Sequence, residues 1–250
     1  MKKILVQLAL LVVVAVIGLV AVIASLVWLE TRDSSKRNTE LDGENQKKEQ
    51  VSQPAFIKNI GIDFTDFEFT NKKISFNSLF MDYGFPVPAS GMGPAKLNPQ
   101  PTFIVPLGTE VTSLVDGVVV GIPELYSGDY SVMVASNAKD DWIFETEHVI
   151  KPRVKVGDKV RAGQVVAEVS DFDSHNHGGF GMVEIGILHG GEIPEHVCPF
   201  AYLDPSIKAS VEAEILNFYK KWEEFKGDTS IYNEAALVSP GCLTYEAIEG

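Results

Sequence analysis

The sequence predicts a mainly β fold: a duplicated β-sandwich or barrel-like domain, with an N-terminal transmembrane helix before it and an α-helical extension after it. Three observations predict this. Short runs of alternating apolar and polar residues, punctuated by Gly-Asp, Ala-Gly and Asp-Gly pairs, crowd residues 103–190. Residues 4–29 form one uninterrupted apolar run. Residues 207–225 place Ile207, Val211, Ile215, Leu216, Tyr219 and Trp222 at helical spacing.

The apolar run, "ILVQLALLVVVAVIGLVAVIASLVWL", holds no charge and a single amide, Gln7. It is long enough to cross about 30 Å of hydrocarbon. It also exceeds the roughly 7–15 apolar residues of a cleavable signal peptide, and no small-x-small site follows it. The reading is an uncleaved single-pass anchor, with residues 1–3 as a cytoplasmic tip and Trp28 at the far interface. Residues 30–53 are polar, charged and without apolar period, as expected of a disordered tether. Over 54–80, "IDFTDFEFT" alternates and "NKK" supplies a turn before "ISFNSLF", which predicts an opening β-hairpin. Five prolines and three glycines in 82–102 argue against regular structure and for a loop that rims a groove.

Residues 81–197 are expected to form the β domain. Within it "GTEVTSLVDGVVVGI" and "GDKVRAGQVVAEVS" echo one another, as two interlocking halves would. Residues 198–250 form the helical tail, opened by Asp204, Pro205 and Ser206 and closed by Gly227. The chain has two cysteines, Cys198 and Cys242, and this count suits one disulfide pinning the tail. A disulfide and the anchor together place the globular part outside the cytoplasm, at the cell membrane. The net charge of −13 excludes a nucleic-acid partner, since phosphate binding needs a basic surface.

Three families share the pattern of "VKVGDKVRAGQVVAEVS" (154–170). Lipoyl and biotinyl carriers need a lysine in a tight turn between the halves, and Lys139, Lys151 and Lys155 do not sit in one. Efflux-pump adaptors need a coiled-coil insert, and residues 123–152 show no heptads. The third match is closer. "GTEVTSLVDGVV", "GDYSVMVAS", "FETEHVIKP" and the 154–170 stretch follow the order of the lysostaphin-like zinc endopeptidases, murein hydrolases built on a duplicated hybrid motif. The resemblance covers about residues 80–190.

That resemblance implies a zinc held by an early His-x-x-x-Asp and by the second His of a late His-x-His. His148 falls on the position of a further, proton-handling histidine of the family. The late motif coincides with "GMVEIGI", placing Met182 and Glu184 where two histidines belong. The early motif is expected near "FMDYGFP", with Asp82 for the His and Pro86 for the Asp. Substitute metal ligands are available in "DFDSHNHGG" as His175 and His177, which a solvated loop would also explain; His189 and His196 read as surface residues.

Three functions follow as expectations. One is a non-catalytic envelope-binding or regulatory module without cofactor, its partner peptidoglycan, another envelope polymer or an envelope hydrolase. Another is a zinc metallopeptidase whose atypical site uses Asp82, His148, His175, His177 and Glu184. The third is a structural envelope protein.

Overall fold

The alternation of the central block becomes a set of antiparallel strands in the computed structural model, which describes residues 53–65, 67–70, 74, 77–89, 93–191 and 193–250. The predicted anchor, and the predicted tether apart from Gln53, lie outside the described residues. Among the described residues no helix is long and apolar enough to cross a membrane.

In chain order the strands are β1 (Phe80–Met81), β2 (Pro86–Val87), β3 (Lys96–Leu97), β4 (Thr102–Val105), β5 (Glu110–Thr112), β6 (Gly117–Gly121) and β7 (Tyr130–Ala135). Then come β8 (Trp142–Ile150), β9 (Lys159–Val160), β10 (Val165–Val169), β11 (Gly181–His189), β12 (Glu195–Val197) and β13 (Ile248–Glu249). Eleven of these join one sheet whose main path is β1-β4-β11-β8-β7-β6-β9. The two echoed stretches pair reciprocally: β5 with β10, and β6 with β9, so each half supplies strands that complete the other.

The segment 82–102 is less irregular than its prolines suggest. Pro86–Val87 and Lys96–Leu97 make a two-stranded ribbon, an exposed edge arrangement that tolerates proline because its missing N–H faces outward. The opening hairpin is not formed by the described residues. Only Phe80–Met81, at its end, enters the sheet, against β4. The hairpin's predicted turn, residues 71–73, and Ser75 and Phe76 after it lie outside the described residues. Phe64, Phe67 and Phe69 spend their apolar surface on helix α1 (Pro205–Lys226) instead of across a strand pair, with Phe64 and Phe218 centroids 5.0 Å apart and Phe69 and Trp222 5.4 Å apart.

Helix α1 starts as its sequence demands. Asp204 caps it by accepting from the Ser206 N–H, Pro205 sits in the first turn, and Gly227 closes it at φ 73°. Its buried face of Val211, Ile215, Phe218, Tyr219 and Trp222 shares one hydrophobic core with β1, β4 and β11. The Trp222 indole N–H donates to the Asn77 carbonyl at 3.0 Å, which satisfies the one polar atom of a fully buried side chain. Cys198 and Cys242 are bonded and wholly buried, and they tie the tail to the β domain. Gln53–Gly250 form one compact unit.

Candidate functional site

On β8 the side chains of Glu145 and Glu147, two residues apart, share one face of the sheet. Across the ladder Glu147 pairs with Glu184 of β11, and Glu145 pairs with Gly186. Three carboxylates thus converge on one patch, an arrangement that like-charge repulsion disfavours. The missing side chain at Gly186 is needed here, because a Cβ would come within 2.7 Å of the Gln100 amide nitrogen. That nitrogen donates to Glu145 at 3.0 Å, and the Ser131 hydroxyl donates to the other oxygen of the same carboxylate. Burial, reinforced by the neighbouring Glu147, pushes the Glu145 carboxyl up to about 8. Burial and Glu147 likewise push Glu184 up to about 7, and burial raises Glu147.

His148 joins this face through a bulge. Tyr130 pairs with Val149 and Val132 with Thr146, so Ser131 alone opposes both Glu147 and His148. His148 takes up the offset with φ 56°, in the left-handed region that histidine enters more readily than most side chains, and both residues line the same cavity. Its Nδ1 lies 3.0 Å from Asp129 Oδ2 in a buried pair, and its ring stacks on Phe172 at 4.6 Å. Burial alone would raise the Asp129 carboxyl. Hydrogen bonds from Ser127, Ser170 and His148 outweigh it and hold Asp129 below the usual carboxylate range.

These groups open onto a cavity of about 660 Å³. The acids and Met182 form its floor. The 82–102 segment contributes Val87, Lys96, Asn98 and Gln100 to the wall, and Tyr126 and Phe172 stand on the opposite side.

Asp82 turns away from the floor: it is buried, accepts from the Tyr219 hydroxyl of α1, and is pushed up to about 6 by burial. Pro86 is in the ribbon. The residues seated beside Glu184 are instead Asn98 and Thr102, at the same four-residue spacing. Asn98 Nδ2 donates to Thr102 Oγ1 at 3.3 Å, and Thr102 Oγ1 donates to Glu184 Oε1 at 3.0 Å. Zinc favours imidazole, thiolate and carboxylate donors, and of this trio Glu184 alone is one. The residues present do not fit the family's metal. Among the described residues no group of three or more His, Cys, Asp or Glu side chains is placed to hold a metal ion.

The two loop histidines separate. The His175 side chain is 81% exposed, 3.7 Å from Asp173, whereas His177 is buried and lines the cavity, with burial pushing its pKa down. His189 stacks on Trp142 at 4.6 Å. The reading of His196 as a surface residue fails: it is only 5% exposed, lines the cavity and is pushed down to about 4, chiefly by burial. Sequence reasoning also passed over Glu145, Glu147, Asp129, Asn98 and Thr102. Counting four residues back from the start of "TFIVPLGTEV" would have found the last two.

The interlocked strands and the bulged histidine strand occupy the stretch whose order of motifs resembles the lysostaphin-like domains. Residues 101–186 match Peptidase family M23. Among solved structures, the chain is similar to the catalytic domain of the prophage-encoded M23 protein EnpA from Enterococcus faecalis. There it is 25% identical over 51% of this chain and 95% of that one, with a TM-score of 0.37. The lysostaphin catalytic domain from Staphylococcus simulans gives 21%, 44%, 78% and 0.36 for the same quantities. Helicobacter pylori Csd3 gives 12%, 79%, 48% and 0.40. The chain spans 42% of the intact lysostaphin chain. No protein of curated description matches it.

Proposed function

We propose that the chain is a membrane-anchored, extracytoplasmic module that binds peptidoglycan in the cavity and does not cut it. The observation that carries this reading is the hydrogen-bonded row Asn98–Thr102–Glu184, standing where the family pattern calls for metal ligands. Met182 adds to it, because a thioether in place of an imidazole can neither take nor give a proton at neutral pH. The anchor rests on the charge-free run 4–29 and the extracytoplasmic placement on that run and the disulfide. A catalytic reading draws support from one feature, the buried His148–Asp129 pair, which is arranged as an oriented base would be.

One pair of measurements on the full chain separates the two. The expected result is less than a tenth of an equivalent of zinc after purification in zinc-containing buffer, no release of peptide fragments from peptidoglycan, and co-sedimentation with insoluble peptidoglycan. One equivalent of zinc, lost on Glu184→Ala and accompanied by cleavage, would replace the binding module with the peptidase. A chain that neither sediments nor cleaves would leave only a structural role.

A further inference from the structure

The proposed binding cavity is acidic to a degree that plain polymer contact does not require. Among the described residues four side-chain carboxyl groups line it, Glu145, Glu147, Glu184 and Asp173, against one lysine, Lys96. Burying carboxylates with so little compensating charge costs free energy unless a partner arrives to offset it.

A second observation also concerns the wall. His177 and His196 line the cavity at 3% and 5% exposure; His177 Nε2 lies 3.7 Å from Asp173, and the Nδ1 of each histidine has no hydrogen-bond partner among the described residues. Burial keeps both rings toward the neutral form, so each ring retains a nitrogen that can accept a hydrogen bond. Unsatisfied acceptors at this depth are uncommon in folded proteins and call for a donor. Besides Asn98, Gln100, Thr102 and His148, the lining includes an apolar and aromatic part: Val87, Leu125, Met133 and Met182, with Phe172 edge-on to the ring of Tyr126 at 6.0 Å. Tyr126 itself is 82% exposed at the rim, a large aromatic face left open. Carboxylates below, neutral acceptors at the side, and an apolar aromatic mouth match one ligand chemistry.

Resting on the reading of this cavity as a binding site, we infer that it takes a primary ammonium group carried on an aliphatic stem. The ammonium offers three donors to Glu147, Glu184 and the acceptors beside them, while the stem lies along Tyr126, Phe172 and Met182. Such a group is presented by a lysine-like side chain in a peptide or by a free diamine.

The test is isothermal titration calorimetry on the full chain with four probes: Nα-acetyl-lysine amide, its uncharged isostere Nα-acetyl-norleucine amide, 1,5-diaminopentane and calcium chloride. The lysine probe should bind at least tenfold more tightly than the norleucine probe, and Glu147→Gln with Glu184→Gln should erase that difference. Glu147→Gln alone, at a half-buried residue, gives the same readout if the double variant does not fold. A tighter lysine probe than diamine identifies a peptide source, and the reverse a free amine; both support the inference. Equal binding of the lysine and norleucine probes, no heat from either amine, or displacement of the amines by equimolar calcium would overturn it. The two readings fail separately. Co-sedimentation with peptidoglycan in a chain indifferent to amines would sink only the ammonium site. Amine binding without co-sedimentation would sink only the polymer.

Discussion

Glu145→Gln is the sharpest perturbation this site offers. Glu145 is 5% exposed, and its carboxyl rises from 4.5 to about 8 in the folded chain. Between those values the folded protein holds a proton that the unfolded one has released. Stability therefore falls as pH rises through the window, by the linkage between proton uptake and unfolding. His177 and His196, pushed down by burial, act in the opposite sense, but only below the ordinary histidine value of 6.5. Asp82, at about 6, is already mostly ionised by then and contributes little above it. The interval from about pH 6.5 to about pH 8.5 thus isolates the cavity acids, and over it Glu145 alone removes about 2 kcal/mol. For a domain of this size that is a fall of roughly 4–8 °C in Tm. Glu184 adds to the fall, though less than its shift implies, because the residue is only partly buried. Glutamine keeps an oxygen for the Ser131 hydroxyl and cannot ionise, so the variant should melt higher than the parent at the upper pH and lose most of the slope. Differential scanning calorimetry at the two pH values reads both numbers. Equal slopes in parent and variant would refute the assignment of Glu145 as a proton-holding acid.

Three further outcomes are expected. The triple variant Asn98→His, Thr102→Asp and Glu184→His should acquire close to one zinc per chain by atomic absorption, and failure to do so would show that the ligand register is misplaced. Reducing the Cys198–Cys242 bond opens a 44-residue separation and should cost roughly 3–4 kcal/mol by loop-closure entropy, seen as a lower denaturation midpoint with dithiothreitol. Trp222→Ala removes a fully buried indole between α1 and the sheet and should cost about 3–5 kcal/mol in urea unfolding; a loss under 1 kcal/mol would mean that the tail packs only loosely on the domain.

Legibility in the sequence followed the range of the forces involved. The strands from Thr102 to His189 were readable because alternation and turn glycines are local signals. Helix α1 was readable from its period, with Asp204 and Gly227 marking ends that the structure places at Pro205 and Lys226. In the 62–70 stretch Phe64, Phe67 and Phe69 pack on a helix some 150 residues away, a partner no local period reveals. Asn98 and Thr102 likewise become neighbours of Glu184 only through the pairing of β4 with β11. Glu145 could not be singled out as an unusual acid either, since its depth depends on Gln100 crossing over Gly186.

The reciprocal pairing of β5 with β10 and of β6 with β9 has a consequence for the order of events during synthesis. Strand β6 gains one edge early, from β7, but its other edge waits for Lys159–Val160. Until about forty residues more have been made, that edge is an open template for any passing chain. Neither half can finish first. A truncation before Lys159 should therefore yield aggregates and not a smaller folded domain, and the whole β unit should assemble in one late step.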